Sequence, residues 1–171
     1  MGDSVWTHID IGGEITTTES FNTLVEALSQ TGEISIGKNN VSRDSGAIRQ
    51  ALIDANMEEK PLHIRCYTRN GDTELFEKAG KLGINLRIRT SGWGGEGPSV
   101  FFIKDGRKSL TMTEDGGSVA ITQKHVRHLM NRGVESLKAL DEFLSLYDTP
   151  TPDFRISDDV VMELVLPSRK R

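Results

Sequence analysis

The chain has 171 residues and a formal net charge of −4. That length lets one domain bury roughly two thirds of its unfolded surface without disulfide or metal staples. A single cysteine, Cys66, excludes an internal disulfide framework and fits a reducing compartment, and no apolar run approaches the roughly 18 residues of a membrane span.

The opening "MGDSVWTHID" has no basic stretch followed by an apolar one, so a secretory signal is not expected and the reading is a cytoplasmic protein without a membrane partner. Charge is unevenly placed. Residues 1–59 carry a net of −7, residues 60–132 a net of +6 and residues 133–171 a net of −3. The middle block calls for an anionic partner, or for acidic helices of the same fold packed near basic strands.

In chain order, "VWTHIDI" alternates. Val5, Thr7, Ile9 and Ile11 share one side, and Trp6, His8 and Asp10 the other, as in a half-buried strand. Gly12 and Gly13 then read as a turn before a helix with Thr16 and Glu19 at capping-box spacing. Phe21, Leu24, Val25 and Leu28 form its apolar face, and Gly32 is placed for a left-handed cap. "EISIG" suggests a short strand. Residues 43–57 form a second amphipathic helix with Ile48, Leu52 and Ile53, closed by Pro61.

"LHIRCYTR" alternates again, setting Leu62, Ile64 and Cys66 against His63, Arg65 and Tyr67. A short helix capped by Asp72 or Thr73 and ended by Gly83 follows. "INLRIRT" directs Arg87 and Arg89 away from Ile84, Leu86 and Ile88. "GWGGEGP", residues 92–98, is a loop that presents Trp93. "SVFFI" is the most apolar strand, and "KDGR" is a tight hairpin turn into "KSLTMT". Thr122 can cap "QKHVRHLMNR". After Gly133, a stripe of Val134, Leu137, Leu140, Leu144 and Tyr147 continues as helix until "TPTP". The tail fits a strand or a short helix.

Strands with one apolar side, interleaved with amphipathic helices, specify α+β: a mixed, mostly antiparallel sheet with helices packed on one face. Residues 1–171 read as a single domain, with 148–171 as an appended C-terminal segment.

Catalytic signatures are missing. Gly12 and Gly13 start no dinucleotide fingerprint, and no phosphate-binding loop or nucleophile elbow occurs. Three positions along a strand put His63 and Cys66 on opposite faces, so no Cys–His pair forms and no hydrolase or transferase chemistry is expected of Cys66. His125 and His128 stand one helical turn apart without further metal-ligand motifs. No catalytic residue, metal site or cofactor is assigned. What remains is a basic strand face of Arg65, Arg87 and Arg89 beside Trp93, residue types that dominate binding hot spots.

The opening "IDIGGEIT", the strand "PLHIRCY", the segment "TELFEKAGKLG" and the glycine-rich stretch before "VFFIKDG" resemble small accessory proteins carried by phages and plasmids. The resemblance covers about the first two thirds of the chain. It implies a mobile-element context, in which such proteins bind host machinery, inhibition of host defence included.

The resulting expectation is a non-enzymatic binding protein with a protein partner, acting as an inhibitor of a host or defence complex through Arg65, Arg87, Arg89 and Trp93. The alternatives are a nucleic-acid binder using residues 60–132, which an overall pI near 5.6 opposes, and a small-ligand enzyme or sensor near Gly12 and Gly13. Oligomeric state is left open by the sequence.

Overall fold

A computed structural model describes residues 4–58, 60–69, 83–92, 97–115, 118–121 and 123–165. Strand β1 (Ser4–Ile15) leads into helix α1 (Thr18–Ser29). A hairpin of β2 (Ile34–Ile36) and β3 (Asn39–Val41), helix α2 (Ser45–Ala55) and strand β4 (Leu62–Arg69) follow. The second half holds β5 (Asn85–Thr90), β6 (Ser99–Lys104), β7 (Arg107–Lys108), β8 (Met112–Asp115) and β9 (Ser118–Ala120). It closes with α3 (Gln123–Arg132), α4 (Val134–Asp148), β10 (Phe154–Ile156) and α5 (Asp158–Val165). The expected helix at 72–82 and the Thr122 cap lie outside the described residues.

These strands form one sheet in the order β3-β2-β4-β1-β5-β6-β8-β9, with β7 on β6 and β10 on β1. The pairs are antiparallel except β1 with β10. The α+β class and the mostly antiparallel sheet are therefore those the alternating strands imply. The alternation sends Ile9, Ile11, Ile64, Cys66, Leu86 and Ile88 into one core with Phe21, Leu24 and Leu28 of α1 and Ile48 and Leu52 of α2. Both helices are capped by side chains: Thr17 accepts from Ser20 N–H at 3.1 Å, and Asp44 accepts from the Gly46 and Ala47 N–H groups. The first cap thus falls one residue past Thr16, because Thr17 is the last residue with extended backbone.

The glycines correct the sequence reading. Gly12 and Gly13 are not a turn, since β1 runs straight through them to Ile15. A Cβ on Gly12 would stand 2.2 Å from the Pro152 carbonyl oxygen, and Gly13, at φ +98°, donates its N–H to Asp153 O at 2.9 Å. Here β1 drops β5 and picks up β10: Gly12 pairs with Asn85, and Gly13 pairs with Phe154. The pair thus brings the backbone close to the chain's own C-terminal segment. Gly32 likewise is no left-handed cap. Helix α1 ends at a right-handed Gln30, and a Cβ on Gly32 would meet Tyr67 Cβ at 2.8 Å, so glycine lets this loop cross β4.

The C-terminal segment is built into the structure. Phe154, Ile156 and Val160 are buried in the main core, and Ser157 N–H donates to Ile15 O at 2.9 Å. The tail forms a strand and a helix in succession.

Helices α1, α2 and α5 cover one face of the sheet. Helix α4 lies on the other, where Phe143 packs with Val100, Phe102 and Met112 in a second, smaller core. That explains why "SVFFI" is apolar throughout. Phe101 and Ile103 face the main core while Val100 and Phe102 face α4.

Candidate open sheet face

The side of the sheet opposite α1 and α2 is divided. Helix α4 covers the β5–β6–β8 end, and beside it Arg65, His8 and His63 on β4 and β1 are exposed. Register places the residues of this face in rows across the strands. One row runs Ser35, Arg65, His8, Arg89, Val100 and Met112, and the next runs His63, Asp10, Arg87 and Phe102. Tyr67 pairs with Trp6. Strand β1 lies between β4 and β5, so the three arginines share a face, but His8 separates Arg65 from Arg89.

The arginines do not form the free positive surface expected from their alternation. Arg65 stacks its guanidinium 3.8 Å from the Trp6 ring centroid, and Tyr67 stands edge-on to Trp6 with centroids 4.6 Å apart. Arg87 is half-buried, with Cζ 4.5 Å from the Tyr147 ring and 5.6 Å from Phe102. Its buried Nε finds no hydrogen-bond partner among the described residues. Arg89 lies between two carboxylates, with Nη2 at 3.7 Å from Asp10 and Nε at 3.5 Å from Glu114. The second contact is an ion pair without hydrogen-bond geometry, since Nε has no hydrogen-bond partner among the described residues.

Asp10 links the rows, because its other oxygen is 2.6 Å from His63 Nδ1. Tyr147 OH donates to Glu114 at 3.4 Å, tying α4 into the same network. Burial, then the positive charges of Arg65 and Arg89, hold the His8 imidazole below its ordinary pKa, with Asp10 and Glu114 opposing. The neutral form of His8 is accordingly favoured, and Arg65 has a ring contact but no ion pair among the described residues.

Trp93 lies outside the described residues. Sequence reasoning placed Trp6, His8, Asp10, His63 and Tyr67 on the non-core side of their strands but did not assign them to the site. Alternation puts all five on that side, but only the pairing of β1 with β4 and β5 sets them beside the arginines.

The other candidates resolve differently. Cys66 is fully buried beside Ile34 on β2, and desolvation pushes its thiol up to about 12. At neutral pH it is an inert core residue, on the face opposite His63. The space a ligand would use at Gly12 is filled by Pro152. An open groove of about 700 Å³ runs between α2 and the β2–β3 hairpin, edged by Lys38, Gln50, Asp54, Lys60 and His63. Among the described residues, no three His, Cys, Asp or Glu side chains are placed to hold a metal ion. No helix among the described residues is long and apolar enough to cross a membrane.

No family model, no curated protein and no solved structure matches this chain.

Proposed function

We propose that this is a non-enzymatic binding protein that engages a protein partner through the open half of the sheet face. The observation that carries the reading is the Arg65–Trp6–Tyr67 stack, at 3.8 and 4.6 Å, on two central strands beside exposed His8 and His63. Such a stack is a preformed anchor. Its side chains are held before a partner arrives, so little rotamer freedom remains to be lost on binding. Trp, Tyr and Arg are also the residues on which interface energy concentrates. With the resemblance to phage and plasmid accessory proteins, the partner we propose is a host or defence complex, inhibited by occupation of its surface.

The internal engagement of Arg87 and Arg89 favours this reading over nucleic acid, because two of the three guanidiniums are committed to Tyr147, Asp10 and Glu114. The test is capture from host lysate with wild-type and Arg65→Ala/Trp6→Ala protein, alongside salt titration against single- and double-stranded oligonucleotides. The expected result is one partner lost in the variant, at roughly 2 kcal/mol or more for a hot spot, with no nucleic-acid affinity near physiological salt. Binding to oligonucleotides with a steep salt slope that flattens by about one in the Arg65 variant would overturn it.

A further inference from the structure

Helix α4 turns the side bearing Leu140, Phe143, Leu146 and Tyr147 toward the sheet and leaves a second, narrower apolar row outside. The buried positions are Ser136 and Phe143, with Leu140 and Tyr147 partly buried beside them. The stripe expected from the sequence is split: Leu140 and Tyr147 pack into the smaller core, whereas Val134, Leu137 and Leu144 are exposed, Val134 by 67% and Leu137 by 56%. Across the break at Gly133 (φ +72°), α3 continues this apolar strip with Val126 and with Met130, 72% exposed. Val126, Met130, Val134 and Leu137 follow at three- to four-residue spacing, and Leu144 lies two turns beyond, past Asp141. Five apolar side chains of two adjoining helices are thus left in solvent.

The charges flanking the strip have opposite signs on the two helices. Helix α3 contains three basic residues and no Asp or Glu, and its Arg127 and Arg132 are exposed. Helix α4 displays Glu135, Asp141, Glu142 and Asp148, with Lys138 paired to Glu135 at 3.4 Å. A surface with an apolar centre, a positive end and a negative end is complementary to its own copy rotated by two-fold symmetry. Each α3 then meets the other copy's α4, and the Met130–Val134 junction lies at the centre. A lipid surface fits less well, because the acidic residues of α4 would face anionic headgroups.

We propose that the exposed strip of α3 and α4 is the interface of a two-fold homodimer of this chain. The dimer joins like faces, with the apolar strip excluded from water and the basic and acidic helices crossing between copies. It uses elements other than β1 and β4, so it stands whether or not the open sheet face binds a partner.

The experiment is sedimentation velocity of the full chain over a concentration series up to about 1 mM, a range that detects even weak association. The wild type is expected to reach twice its mass of 18.9 kDa, and Met130→Asp should raise the dissociation constant by about tenfold or more, as loss of a central apolar contact does. The charge argument gives a sharper arm. Arg127→Glu/Arg132→Glu and Asp141→Lys/Glu142→Lys should each be monomeric alone, and an equimolar mixture should dimerise, since both crossings are then attractive. In the wild type, the Met130 methyl NMR signal should shift with concentration, a readout that needs no variant. A wild type that stays monomeric, a dimer indifferent to Met130→Asp, or variants that fail to complement would each overturn the proposal. So would a monomer that instead binds phosphatidylserine vesicles through Met130.

Discussion

The two faces of the sheet are made by the same strands in opposite phases of one alternation, yet they differ in kind. The face under α1, α2 and α5 is closed and apolar from β2 to β6 and takes in the chain's last strand. The opposite face is apolar only beneath α4, and across β1, β4 and β5 it changes to Arg, His, Asp and Trp. Apolar burial dominates the first. On the second, charged groups are held by aromatic rings and by each other, which fixes their geometry while leaving part of the face in water. Under the proposed function, stability and recognition fall on different sides of the same strands.

The largest expected effect tests whether the two cores are separable. Phe154→Ala, in the main core, should cost about 3–5 kcal/mol and lower the unfolding midpoint of the whole chain. Phe143→Ala removes a ring of equal size from the smaller core. Hydrogen exchange should then show α3 and α4 opening while β1, β4 and β5 keep their protection. Equal loss of protection in both regions would break the comparison.

Cys66 gives the next effect. Its thiol titrates near 12 in the fold against an ordinary value of 9. The protonated form is thus favoured in the native state, with stability fully present below about pH 9 and lost as pH rises toward 12. The gap corresponds to about 4 kcal/mol. Denaturant melts between pH 8 and 11 should show this fall in the wild type and a shallower one in Cys66→Ala. Identical slopes would mean that the thiol is not desolvated.

Gly12→Ala forces a methyl against the Pro152 carbonyl, a contact with backbone that no side-chain rotation relieves. A loss of about 2 kcal/mol is expected, overpacking of this kind costing roughly 1–3. Exchange protection of the Phe154 amide should fall first, because β10 is what must move.

On the open side the effects are smaller. Arg87→Met keeps the aliphatic stem but removes the guanidinium between Tyr147 and Phe102, and should cost about 1 kcal/mol. Smallest is the pH dependence of His8. Its pKa is lowered in the fold, so the neutral form is favoured there, and the contribution is present above about 6.5 and declines as pH falls below it. An NMR titration should place His8 below 6.5, and Arg65→Ala should move it back up, since Arg65 is one of the charges that depress it. An unchanged midpoint in that variant would separate Arg65 from His8.

The sequence by itself determined the local elements, because helix and strand periods differ and each phase is written in consecutive residues. "LHIRCYTR", "INLRIRT" and the Phe21–Leu28 face needed nothing else, and the α+β class follows from their interleaving. Even the two-sided burial of β6 is legible in the unbroken "VFFI". Tertiary structure decided the rest, since it rests on which segments meet. Gly12 serves Pro152, which lies far along the chain, so its role could not be read from its neighbours. Helix α4 offers two apolar rows, and the one with Phe143 and Tyr147 faces the sheet because those rings reach Phe102 and Arg87. Whether Arg65, Arg87 and Arg89 are free or engaged depends on Trp6, Asp10, Glu114 and Tyr147. Those partners come from β1, β8 and α4, and only the pairing order of the strands brings them together.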